Sequence, residues 1–179
     1  TIAMHTDSLC FRLQSGALQY VTLMAGGQNA LHWRGVRVFD QDTILQSRRP
    51  VIVYDSLYVS SGTTLTIEAG TQLYFHQHAS MCVDGTLLVN GTLEEPVVFR
   101  GDRTGNLFDY LPYDNTPQQW GGVYLNGSEH KLTYLDLHSS TFGIKAEDTD
   151  MELANCVILN TGGNALWAKN CRVKAYNTQ

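Results

Sequence analysis

Apolar and polar residues alternate along this chain in very short runs, and almost nowhere in the three-to-four-residue rhythm of an amphipathic helix. From Pro50 onward the runs fall at 51–54, 56–59, 64–67, 72–75, 81–83, 86–89 and 97–99. Ser61-Gly62, Ala69-Gly70, Asp84-Gly85 and Asn90-Gly91 separate several of them. Asp-Gly and Asn-Gly ordinarily mark two-residue hairpins. Runs this short do not suit a meander of ordinary strands, however, and the pattern continues without pause. Short strand, sharp corner, short strand is the requirement of a β-solenoid.

A repeat in the second half points the same way. Gly122-Val123-Tyr124-Leu125 is echoed 21 residues later by Gly143-Ile144-Lys145-Ala146. Tyr134-Leu135-Asp136-Leu137-His138 is echoed at the same offset by Asn155-Cys156-Val157-Ile158-Leu159. Asn164-Ala165-Leu166-Trp167 follows Gly143 by a further 21, whereas Asn170-Cys171 lies only 15 residues after Asn155-Cys156. Two strand classes with one offset predict stacked coils, a parallel β-helix with alternate side chains filling a narrow interior.

Two longer runs come first, 8–13 and 18–25, and read as paired strands joined at Ser15-Gly16. The stretch 26–49 is mixed, and its polar end, 40–49, reads as a connection. The chain thus divides into strands in 1–34, a connection at 35–49 and a solenoid over 50–179. An insertion at 102–119 interrupts the solenoid with two prolines and several aromatic rings. A loop of that length in a compact fold is functional or disordered, and its aromatic content predicts order. The fold class is all-β.

Composition narrows the function classes without naming one. Of 179 residues, 43% are hydrophobic and 16% charged, too apolar for disorder and too lightly charged for a long solvated helix. A net charge of -5 argues against nucleic-acid binding, which needs a Lys/Arg surplus. No apolar run approaches the ~20 residues of a membrane-spanning helix. There is no signal peptide, initiator Met or lipid-attachment cysteine near the start, so a fragment of a longer protein is expected. Cys10, Cys82, Cys156 and Cys171 lack metal-type CxxC spacing and permit three disulfide pairings. Their apolar neighbours favour buried thiols over bridges.

Residues 49–54 (Arg-Pro-Val-Ile-Val-Tyr), 63–71 (Thr-Thr-Leu-Thr-Ile-Glu-Ala-Gly-Thr) and Leu73-Tyr74-Phe75-His76 form an ordered series of motifs. Gly85-Thr86-Leu87, Asn90-Gly91-Thr92, Glu95-Pro96-Val97, 99–103 (Phe-Arg-Gly-Asp-Arg) and Gln119-Trp120-Gly121-Gly122 continue it. The series resembles the right-handed parallel β-helix lipoproteins common in Bacteroidetes, over about two-thirds of the chain. The resemblance implies an immunoglobulin-like sandwich before the solenoid, so that 1–34 would carry its final strands. Its earlier strands and a lipid-anchor cysteine would lie upstream. It also implies an outer-membrane or cell-surface location, no catalytic motif, and partnership with outer-membrane importers or other surface lipoproteins.

Each candidate site has a plain structural alternative. His76-Gln77-His78 places two imidazoles at i and i+2, but no third ligand is evident at matching spacing, and solvent-facing corner histidines are favoured. Glu147, Asp148 and Asp150 could offer carboxylates to Ca²⁺, without the EF-hand spacing or its glycine. Glu94-Glu95 reads as a solvated turn. A polysaccharide-active enzyme would need converging carboxylates, or a base beside a cation, and Asp136, Arg172 and Lys174 are the residues weighed for it. Phe108, Tyr110, Tyr113 and Trp120 are the binding candidates, a platform for sugar rings or a partner protein, with Asp109 and Asp114 as polar fixings. The alternative is a loop whose rings plug a coil edge. Trp33 and Trp167 read as packing residues. No cofactor or metal is expected, and the sequence favours a scaffold or binding module.

Overall fold

In the computed structural model, which describes residues 2–127 and 129–179, two kinds of strand pairing divide the chain. Antiparallel pairing occupies a first unit, 1–30, and parallel pairing a second, 31–179, apart from one short antiparallel pair there between Asn106–Phe108 and Leu111–Pro112.

In the first unit β1 (Ile2–Arg12) pairs with β2 (Leu18–Gln28) along its whole length, from Ile2 opposite Gln28 to Arg12 opposite Leu18. Gly16 makes the turn at φ +85°, a conformation that costs glycine nothing. Period-two alternation puts Leu9, Phe11, Val21 and Leu23 on one side of the ribbon, and Ser8, Cys10, Tyr20 and Thr22 on the other. Both sides are exposed. The described residues of this unit hold these two strands and no second sheet.

The second unit is a parallel β-solenoid with three strands per turn. β3 (Leu31–Trp33), β4 (Arg37–Phe39) and β5 (Thr43–Leu45) form the first turn. β6 (Val51–Val53), β7 (Leu57–Val59) and β8 (Thr64–Glu68) form the second. β9 (Gln72–Phe75), β10 (Ser80–Val83) and β11 (Thr86–Asn90) form the third. β12 (Val97–Gly101) opens the fourth turn, and the insertion follows with β13 (Asn106–Phe108), β14 (Leu111–Pro112) and a 3-10 turn at Tyr113–Asn115. β15 (Gly122–Asn126) and β16 (Glu129–Thr133) complete that turn. The fifth holds β17 (Leu135–His138), β18 (Ile144–Glu147) and β19 (Asp150–Ala154). The sixth holds β20 (Val157–Leu159), β21 (Leu166–Lys169) and β22 (Arg172–Tyr176). Gln179 exchanges backbone hydrogen bonds with Cys156 and Ile158, beginning a seventh.

Stacking gives three parallel six-stranded sheets. The first face carries β3, β6, β9, β12, β17 and β20; the second β4, β7, β10, β15, β18 and β21; the third the remaining six. Alternate residues point inward and align in columns. Val51, Leu73, Phe99 and Leu137 follow one another on the first face, and Leu57, Met81, Val123 and Ile144 on the second. All eight are at most 1% exposed, so each coil seals the one beneath it. Burying side chains of this size stabilises by about 1.5–3 kcal/mol each, which such short strands could not supply by pairing alone.

The corners recur as well. Asp148 and Asn170 share one corner, at φ 51° and 54°; Tyr134, Asn155 and Asn177 share another, at 47°, 55° and 50°. Asn170 donates its amide to Asp148 at 2.9 Å and Asn177 to Asn155 at 2.5 Å, so corner side chains stack like the columns. Asn tolerates this left-handed conformation better than other non-glycine residues.

Several expectations need correction. The connection at 35–49 contains β4 and β5, and parallel pairing starts at Leu31. The interior positions Leu31, Trp33 and Leu45 of this first turn are only half-buried, so the alternation is faint. The 21-residue offset holds from β15 to β18 and from β17 to β20. From β18 to β21 it is 22, with Ile144 over Leu166. Asn170-Cys171 is no misplaced copy of Asn155-Cys156, since the two asparagines occupy different corners. All four cysteines are free thiols; Cys156 is buried, Cys82 and Cys171 are intermediate, and Cys10 is exposed on the ribbon.

Candidate functional site

The insertion leaves the end of the first face and returns at the start of the second through a narrow neck. A Cβ on Gly101 would sit 2.7 Å from the Cβ of Gln119, so only glycine lets the returning strand pass. Trp120 then turns inward, 1% exposed, and stacks on Phe75 at 4.4 Å with planes 10° apart. Its indole N–H donates to the His138 carbonyl at 2.9 Å. Trp120 therefore belongs to the core and not to an aromatic platform.

Beyond the neck, Phe108 and Tyr110 stack at 5.8 Å with planes 15° apart, and they are 55% and 83% exposed. Tyr113 is half-buried under the Arg103 guanidinium, 5.0 Å from its ring centre. Of the four binding candidates, two face solvent as a pair, one is pinned and one is buried.

Asp114 fastens this loop to the coil. Its Oδ1 lies 2.8 Å from the Arg100 guanidinium and 2.9 Å from His138 Nδ1. Its carbonyl accepts from the Ser139 hydroxyl and, at 3.3 Å, from the Asn160 amide. Arg100 also lies over the Tyr74 ring, 5.2 Å from its centre, and Tyr74 donates its hydroxyl to Gln72 at 2.8 Å. His138 Nε2 is 4.0 Å from Asp136. Burial, partly offset by His138, raises the Asp136 carboxyl above its ordinary range, and burial also raises the Tyr74 phenol. Arg100, Asp114 and His138 engage one another as a clasp.

Sequence reading missed that clasp, although Asp114 and Asp136 were each singled out. Tyr74, Arg100 and His138 occupy one outward column of the first face. The inserted residues stretch their spacing, so no fixed offset exposes the column.

The remaining candidates fall apart in space. Asp136 lies on β17 of the first face, while Arg172 and Lys174 lie on β22 of the third, so a carboxylate and cations do not converge there. His76 Nδ1 pairs with Asp102 at 2.6 Å, and His78 forms a corner at φ 71°. Glu147 pairs with Lys169, Asp148 accepts from Asn170 and Asp150 lies 3.4 Å from Arg172, so the next turn answers each carboxylate. Among the described residues no cluster of three or more His, Cys, Asp or Glu is arranged to hold a metal ion. Trp33 packs against the core, whereas Trp167 lies outward beneath Lys145. No helix of the described residues is long and apolar enough to cross a membrane. No family model matches this chain, and neither a curated protein nor a solved structure matches it.

Proposed function

We propose that this protein is a non-catalytic binding module: a rigid β-solenoid scaffold that presents the Phe108–Tyr110 pair to a partner. One observation carries the reading, the stacked and exposed pair on a loop fixed at its neck by Trp120 and at its far side by Asp114. Exposed aromatic surface held in place before binding is what an interface anchor requires, because little ordering entropy remains to be lost.

The sequence resemblance extends the proposal. It makes the coil right-handed, as parallel crossover connections strongly prefer, and makes β1 and β2 the last strands of a β-sandwich. It makes the protein a Bacteroidetes-type lipoprotein of the outer membrane or cell surface, an accessory to an importer or to other surface lipoproteins. Separation of Asp136 from Arg172 and Lys174 supports a non-catalytic role over a polysaccharide-active enzyme.

The test is co-purification from solubilised native membranes, comparing the unaltered protein with a Phe108→Ala, Tyr110→Ala double variant. A partner recovered at fixed stoichiometry should bind the double variant more than tenfold more weakly, about 1.4 kcal/mol or more, with unchanged melting. Undiminished partner binding would refute the loop as the contact surface.

A further inference from the structure

We infer that a groove on the second face, separate from the Phe108–Tyr110 pair, binds a linear acidic oligosaccharide. The inference rests on the reading of the chain as a binding module but places the ligand on a different surface. The outward column of this face runs Tyr58, Cys82, Tyr124, Lys145, Trp167, one residue per turn at the ~4.8 Å spacing of paired strands. Two cavities follow one another along it. The first, about 480 Å³, is lined by His78, Ser80, Gln118, Tyr124 and Thr141, among others. The second, about 320 Å³, is lined by Phe142, Lys145, Asn164 and Trp167. Tyr124 and Lys145 are register neighbours, and Thr141 and Phe142 are chain neighbours, so the cavities are successive stretches of one groove.

Chemistry selects the occupant. The groove offers aromatic surface at Tyr124, Phe142 and Trp167, which suits the C–H faces of sugar rings. The side chains of Gln118, Thr141 and Asn164 supply amides and a hydroxyl that make no hydrogen bond within the described residues, and these suit sugar hydroxyls. Neither cavity is lined by a carboxylate, on a chain whose net charge is -5. The cation in the groove is Lys145, whose ammonium lies 5.0 Å from the centre of the Trp167 ring and forms no ion pair among the described residues. The neighbouring carboxylate on its strand, Glu147, is taken by Lys169. An unpaired cation beside stacking surface in an acid-free groove is complementary to an acidic, ring-built ligand. The extended shape matches a linear one.

An array of linear hexasaccharides tests this, with hyaluronan, alginate and pectate fragments as acidic probes and cellulose and mannan fragments as neutral ones. The protein should bind acidic members in preference. Trp167→Ala should weaken that binding by roughly tenfold or more, and Lys145→Gln should abolish the preference for acid. Lys145→Gln alters charge without touching backbone pairing, so it remains informative if Trp167→Ala loosens the last turn. Binding to no member of the array, equal binding to neutral members, or undiminished acidic preference in Lys145→Gln would overturn the inference. Loss in Tyr110→Ala with retention in Trp167→Ala would overturn it too, while leaving the loop reading standing.

Discussion

The β1–β2 ribbon and the solenoid use the same backbone pairing to opposite effect. Each ribbon strand has eleven residues, more than twice the longest solenoid strand, yet Leu9, Phe11, Tyr20 and Val21 stay exposed. The three-residue β6 buries every one of its side chains. Ladder length is therefore a poor guide to stability. Backbone hydrogen bonds exchange for bonds to water at little net gain, whereas removing apolar surface from water contributes about 25 cal/mol per Å². An isolated two-stranded ribbon is marginal by itself, and a coil that closes on its own interior is not.

The largest expected difference comes from matched truncations. Phe99→Ala in the interior should cost about 3–5 kcal/mol, and Phe11→Ala in the ribbon no more than about 0.5. Urea unfolding followed by circular dichroism measures both, and equal losses would break the comparison.

A somewhat smaller effect should sharpen it. His130 lies in an interior column between Leu87 and Met151, fully buried, with Nδ1 accepting the Leu87 N–H at 3.1 Å. Burial lowers its pKa from 6.5 to about 4. Between those values the unfolded chain holds a proton that the folded chain does not. The stability owed to the neutral imidazole is thus complete above pH 6.5 and falls away as pH drops toward 4, by about 3 kcal/mol in all. The unaltered protein should lose urea resistance between pH 7 and 4.5 by clearly more than His130→Leu. Parallel losses in the two proteins would remove His130 as the cause.

The smallest effect concerns a corner. Asn155→Ala should cost about 1 kcal/mol because alanine resists positive φ, and Asn155→Gly only a few tenths. Thermal melting ranks the two variants, and a costlier glycine would show that the stacked amide matters more than the backbone conformation.

Much of the coil was legible because its interior enforces alternation and its corners are punctuated. The run 72–75 is β9 to the residue, and 51–54, 64–67 and 86–89 each miss β6, β8 and β11 by one. The first turn was hidden because its strands are half-exposed, with Arg34, Arg37 and His32 between its apolar residues. The change from 21 to 22 was invisible because a corner absorbs one more residue without disturbing either face. At the candidate site, Phe108 and Tyr110 could be read as exposed from their turn-rich, polar surroundings. Trp120 has polar and glycine neighbours too, but the ring it stacks on, Phe75, lies on the preceding turn, out of reach of any local pattern.

That neck gives the insertion the character of a cassette. Gly101 and Gln119 meet closely, Trp120 anchors the return, and Val98 and Phe99 keep register with Asp136 and Leu137 as though nothing intervened. The coil holds the segment between them at its two ends and at one interior point, Asp114, through Arg100 and His138. Sequence elsewhere in the segment is free to lengthen, shorten or be exchanged while the scaffold stays in phase, so binding preferences can diverge among descendants of one coil with no change in the architecture beneath.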